Sequence, residues 1–96
     1  LIVVPFTPSL LRPETAGWAA RVGGRRVDVS ADREAYWRLL VEAWDGTADL
    51  MVVEHDVLPP PGIVAELAGC PAEWCTCPYR VGGLMISRGL GCARCL

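Results

Sequence analysis

Short β-branched runs alternate along this chain with segments of helical period, and that alternation limits its fold more than any other feature. Leu1-Ile2-Val3-Val4-Pro5-Phe6 is apolar at every position, and so is Leu50-Met51-Val52-Val53. Apolar runs of this length, bounded by turn residues, suit strands covered on both faces, the habit of parallel sheets. Arg25-Arg26-Val27-Asp28-Val29 predicts a second short strand entered through two solvated arginines, and Leu84-Met85-Ile86-Ser87 a fourth. Between the first two strands, Pro13 and Glu14 open a helix that Gly23-Gly24 closes, with Gly17 as a weak point. After the second, Ser30 is placed as an N-cap with Asp32 and Glu34 in the first turn, and the helix runs to about Trp44. Its stripe is Tyr36, Leu39, Leu40, Ala43 and Trp44, widened by Trp37 and Val41 as for a helix lying on a sheet. Pro61 starts a third, short helix carrying Ile63, Val64, Leu67 and Ala68, which Gly69 ends. The order β-α-β-α-β-α-loop-β predicts an α/β fold: three layers, a mostly parallel sheet with helices on both faces, joined by right-handed crossovers.

Ninety-six residues allow one domain. Residues 1–68 carry the alternation, and residues 69–96 read as a Cys-rich loop, a strand and the start of a last helix. An apolar fraction of 52% argues against disorder, and a net charge of −2 offers no basic field to nucleic acid. All basic residues are arginine, which carries no mechanistic weight. No run of eighteen apolar residues predicts a membrane span, and the N-terminus lacks the pattern of a signal peptide. The chain opens on a strand without methionine and stops at Cys95-Leu96, so its ends read either as cut or as those of an unusually compact product. Five cysteines, an odd number without a leader, point to a reducing cytoplasm.

Chemistry concentrates where the third strand ends, at Glu54-His55-Asp56, before Val57-Leu58-Pro59-Pro60-Pro61-Gly62. If the strand persists through them, Glu54 and Asp56 share one face and His55 takes the other. Two neighbouring carboxylates repel, and either a proton or a hard divalent cation such as Mg²⁺ resolves the repulsion. Ligands of open α/β sheets bind outside the carboxyl ends of the strands, where these acids fall. The same three residues also read as the plain polar exit of a buried strand.

An apolar strand, Glu54-His55-Asp56, the Val57-to-Gly62 turn and a short helix together resemble the Asp-x-Asp region of nucleotide-sugar glycosyltransferases of the GT-A fold. The likeness covers roughly residues 1–67, and its specific part is about nine residues long. The whole chain is also similar to small glycosyltransferase-like proteins of actinobacteria and their phages, including Gly89-Leu90-Gly91-Cys92 near the end. The resemblance implies a Rossmann-like, GT-A nucleotide-binding half that binds a nucleotide-diphosphate sugar. It implies that Asp56 ligates Mn²⁺ or Mg²⁺ directly, with Glu54 in place of the family's first aspartate. It implies that Pro5, Phe6 and Thr7 cradle the nucleotide and that Asp28 lies against the nucleoside. It names no acceptor. The family's late general base has no counterpart, because the only acids after Asp56 are Glu66 and Glu73 and neither fits the pattern.

A second reading is a small non-catalytic α/β binding or interaction module. Cys75-x-Cys77 and Cys92-x₂-Cys95 bring four thiols in two close pairs, a zinc-ribbon-like set with one shortened arm. Free thiols and a redox pair are the other readings of the same residues. Trp74 and Tyr79 read as anchors of the cysteine loop, or as rings on which a sugar or base stacks.

Overall fold

The computed structural model describes residues 1–77 and the backbone of three further strands, Tyr79–Val81, Leu84–Ile86 and Cys92–Cys95. It is an α/β domain. Its elements are β1 (Ile2–Phe6), α1 (Pro13–Val22), β2 (Arg25–Asp28), α2 (Ala35–Ala43), β3 (Leu50–Val53), α3 (Ile63–Ala68), β4 (Trp74–Thr76), β5 (Tyr79–Val81), β6 (Leu84–Ile86) and β7 (Cys92–Cys95). Five strands form one sheet in the order β2-β1-β3-β7-β4, and β5 and β6 form a separate antiparallel pair.

The parallel part of the sheet is β2-β1-β3. The chain leaves β1 through α1 to reach β2 on one side, then passes through α2 to β3 on the other side of β1. Alternation along the central strands divides the core accordingly. Val4, Met51 and Val53 pack with Trp18 and Ala19 of α1 and Ile63 and Leu67 of α3. Val3, Leu50 and Val52 meet Tyr36, Leu40 and Ala43 of α2. β3 is buried at all four positions because it feeds both clusters, as its uniform apolar run predicts.

Local signals place α1 well. Pro13 stands in its first turn, Glu14 at its positive end, and Gly23 ends it at φ 71°, a left-handed conformation that suits glycine. Gly24 then lets the chain pass close to β1, since a Cβ there would lie 3.3 Å from Ile2 Cγ2.

Four expectations are corrected. First, α2 begins at Ala35 and has no side-chain cap. Ser30 is engaged elsewhere, its hydroxyl and N–H both donating to Asp28 Oδ1 at 2.6 and 2.8 Å. Such local turns compete with helix initiation. Second, the widened stripe is not covered: Trp37 is 64% exposed, Val41 56% and Trp44 47%. Third, Cys92–Cys95 is a strand, antiparallel to β3, where the start of a helix was expected. Fourth, Trp74–Thr76, read as loop, is a strand paired with β7. Half of the large sheet's pairings are therefore antiparallel. The reason is backbone satisfaction: without β7, the side of β3 away from β1 would present unpaired groups in the core. The Gly82-Gly83 and Gly89-Leu90-Gly91 stretches lie outside the described residues.

Candidate functional site

The site is built where the parallel strands stop. β1 and β2 end level with each other, Phe6 opposite Asp28, and the Val29 N–H donates to the Phe6 carbonyl at 2.9 Å. On the other side, β1 pairs with β3 only through Ile2 opposite Met51 and Val3 opposite Val52. The Met51 N–H donates to the Leu1 carbonyl at 2.8 Å, so the odd-numbered residues of β1 turn their backbone groups toward β3. In that register the next donor owed to β3 would be the N–H of residue 5. Pro5 has none, and the ladder stops. The following odd-numbered donor, the Thr7 N–H, finds no strand carbonyl. It donates to Nδ1 of His55 at 3.1 Å.

α1 carries the chain from β1 to β2 on one side, and α2 carries it from β2 past β1 to β3 on the other, so the gap between β1 and β3 is the topological switch point of the parallel strands. Pro5 opens that gap and His55 bridges its rim. The His55 carbonyl also accepts the Arg12 N–H at 2.9 Å, which fixes the start of α1 beside it. Thr15, fully buried in the first turn of α1, donates its hydroxyl to the Val57 carbonyl at 2.8 Å.

The acids are arranged differently from the expectation. β3 ends at Val53, and residues 54–57 form a turn closed by the Val57 N–H on the Glu54 carbonyl at 3.1 Å. Strand alternation therefore does not govern Glu54 and Asp56. Glu54 is half-buried, and its Oε1 accepts the Tyr36 hydroxyl from α2 at 3.1 Å. Asp56 is exposed, and among the described residues its carboxylate has no hydrogen-bond or ionic partner. Asp28 is exposed at the end of β2, and the side-chain and backbone hydrogen bonds from Ser30 hold its carboxyl below the ordinary value of 3.8. Pro5 is buried and Phe6 and Thr7 are half-buried at the β1 exit.

The fold thus brings Pro5, Phe6, Thr7, Asp28, Glu54 and Asp56 to one edge of the sheet. Among the described residues no group of three or more His, Cys, Asp or Glu side chains stands close enough to hold a metal. One exposed carboxylate still suits Mg²⁺, which commonly takes one or two carboxylates and completes its shell with substrate phosphates and water. Asp56 meets that description. Glu54 meets it less well, because Tyr36 already engages one of its oxygens.

His55 is the residue of this edge to which sequence reasoning gave no role, and the structure makes it the partner of the Thr7 N–H. The available signal was Pro5, a strand residue without an N–H to give to the neighbouring strand. That signal becomes legible only once the register is known.

Of the zinc set, Cys75 is joined to Cys70 in a disulfide, and a sulfur so engaged is no thiolate ligand. Cys77 is half-buried, and the side chains of Cys92 and Cys95 lie outside the described residues. Disulfides are rare where glutathione keeps thiols reduced, so this pair pulls against the reducing setting that the odd cysteine count suggests. On the opposite side from α1 and α3, a cavity of about 380 Å³ is lined by Trp37, Leu40, Val41, Trp44, Leu50, Val52 and Trp74. Among the described residues no helix is long and apolar enough to cross a membrane.

No protein-family model matches this chain, and no curated protein or solved structure matches it either. The likeness to glycosyltransferases rests on the chain's own residues.

Proposed function

We propose that this chain is a glycosyltransferase-like domain that binds a nucleotide-diphosphate sugar at the open edge of its parallel strands. On this reading β2-β1-β3 and their helices form a three-layer, Rossmann-like half of the GT-A type. The β1 exit, residues Pro5 to Thr7, cradles the nucleotide, Asp28 lies against the nucleoside, and Asp56 holds Mn²⁺ or Mg²⁺ with Glu54 beside it. A divalent ion bound there would offset the charge that develops on the departing diphosphate. The observation that carries the reading is the gap at the switch point, opened by Pro5 and rimmed by the Glu54-His55-Asp56 turn. Open α/β sheets take their ligands at such a gap. The reading assigns no catalytic base, and the cytoplasmic setting that goes with it holds only if the Cys70–Cys75 bond is reduced there. Glu66 and Glu73 are both exposed, on α3 and in the loop before β4.

Thermal unfolding tests this reading. With Mn²⁺ and the right nucleoside diphosphate at about 100 times its Kd, the folded chain gains about 2.7 kcal/mol, a shift of several degrees for a domain this small. Asp56→Ala removes the shift while leaving the unliganded melting temperature close to that of the wild type. A folded wild-type chain that no metal–nucleotide pair stabilises would rule the proposal out.

A second reading is a non-catalytic interaction module, and the exposed apolar groove favours it. Trp37 and Val41 of α2, with Trp44 just after it, line the groove with Trp74 of β4, Leu50 and Val52. Large exposed apolar patches mark contact sites. A Cys-ligated zinc belongs to this reading only with the Cys70–Cys75 bond open.

A further inference from the structure

We infer that His55 binds the ligand directly, donating its Nε2–H to an anionic phosphate oxygen in the gap between β1 and β3. The first observation is the partner of its Nδ1. Nδ1 lies 3.1 Å from the Thr7 backbone nitrogen, and a backbone N–H only donates, so Nδ1 is an acceptor. A neutral imidazole with an acceptor at Nδ1 carries its proton at Nε2. The second is the ring's surroundings. His55 is half-buried, and among the described residues Nε2 has no acceptor. The third is preorganisation. The His55 carbonyl is held by the Arg12 N–H and its ring by the Thr7 N–H, so backbone and side chain are fixed before any ligand arrives. A donor positioned in this way strengthens binding because little freedom is lost when it engages.

The location selects the ligand's chemistry. Of the other side chains at this edge, Asp28, Glu54 and Asp56 carry carboxylates that accept and do not donate, and the hydroxyls of Ser30 and Tyr36 are already given to Asp28 and Glu54, which leaves the Thr7 hydroxyl beside His55. His55 supplies a neutral donor among them. A phosphate whose charge is partly offset by a cation at Asp56 is the group that would use both. The identity of the anion rests on the nucleotide-diphosphate reading, whereas the tautomer of the ring does not.

Two substitutions separate the ring's two edges. His55→Asn retains an oxygen near the Nδ1 position to accept the Thr7 N–H and loses the donor at Nε2. His55→Gln places an amide donor near the Nε2 position and loses the acceptor near Nδ1. Calorimetric titration with Mn²⁺ and ADP, GDP, CDP or UDP is run on the wild type, both variants and Asp56→Ala. His55→Asn is expected to melt with the wild type yet bind roughly tenfold more weakly, the usual loss for a hydrogen bond to a charged group. His55→Gln is expected to melt lower and bind close to wild type. Affinity that is unchanged in His55→Asn, or that falls only in step with stability in both variants, overturns the inference. So does a proton on Nδ1 in long-range ¹H–¹⁵N correlation spectra of the unliganded chain. Binding that survives Asp56→Ala but weakens in His55→Asn overturns the metal role and upholds His55. Binding lost in Asp56→Ala and unchanged in His55→Asn does the reverse. A wild-type chain that binds none of the four diphosphates overturns both.

Discussion

Pro5 shows how one residue shapes the edge of this sheet. A proline in a central strand would ordinarily be a defect, because it withholds a ladder donor. Here the β1–β3 pairing stops after the first two of β1's five residues, and the next donor is left to a side chain. Asp28 makes a different residue-scale case, one that pH reveals. The hydroxyl and N–H of Ser30 stabilise its charged form and lower its pKa below 3.8. Asp32, bonded to Arg38 and the Glu34 N–H, and Asp45, bonded to the hydroxyl and N–H of Thr47, are shifted the same way. A carboxyl with a depressed folded-state pKa adds stability above its unfolded value, and that stability is lost as pH falls through the folded value. Melting temperature is therefore expected to decline as pH drops below the ordinary carboxylate range. Asp28→Asn should show a shallower decline than the wild type. Parallel acid profiles for the two would mean that the Ser30 bonds do not bias the carboxyl.

At the scale of elements, α3 and β4 are joined by more than packing. Cys70 follows the glycine that ends α3, Cys75 is the buried centre of β4, and the disulfide closes the short loop between them. Cross-linking a loop of this size removes unfolded-state entropy worth about 2 kcal/mol. Cys70→Ser is thus expected to lower the denaturant midpoint by about that free energy. Thiol titration of the unfolded, unreduced wild type should find two fewer reactive cysteines than after reduction. An unchanged midpoint together with five titratable thiols would show that the bond does not form under native conditions. α2 illustrates a separate rule of element packing. Its periodicity predicts which face is apolar, but not how much of that face a sheet covers. Leu39 is buried, and Tyr36, Leu40 and Ala43 are half-buried, whereas Trp37 and Val41 on the same helix stay exposed.

Taken whole, the molecule has a polar edge and an apolar groove, and each of its two functional readings takes one of them. The edge collects short-range polar groups at the end of the parallel strands. The groove shows apolar rings to solvent beside α2. Its chemistry predicts that a hydrophobic dye such as 1-anilinonaphthalene-8-sulfonate fluoresces with the native chain. Trp37→Ser and Trp74→Ala should each reduce the signal without lowering far-ultraviolet ellipticity. No native-state fluorescence would mean that the groove is closed in solution.

The sequence by itself determined the strands β1, β2 and β3 and the helices α1 and α3. It also determined that β3 is buried on both faces and that the acids fall at its carboxyl end. These are local matters: apolar period, proline and glycine positions, and dipole-compatible acids act within a few residues. Only the tertiary structure decided that Cys92–Cys95 becomes a strand, because nothing in Cys-Ala-Arg-Cys asks for one except the unpaired side of β3. It alone brought Cys70 to Cys75 and Tyr36 to Glu54. It also set the β1–β3 register that turns Pro5 from a strand terminator into the opening of a gap and His55 into its bridge. Thr7 and His55 lie 48 residues apart, and a hydrogen bond over that distance exists only once two crossovers have laid their strands side by side.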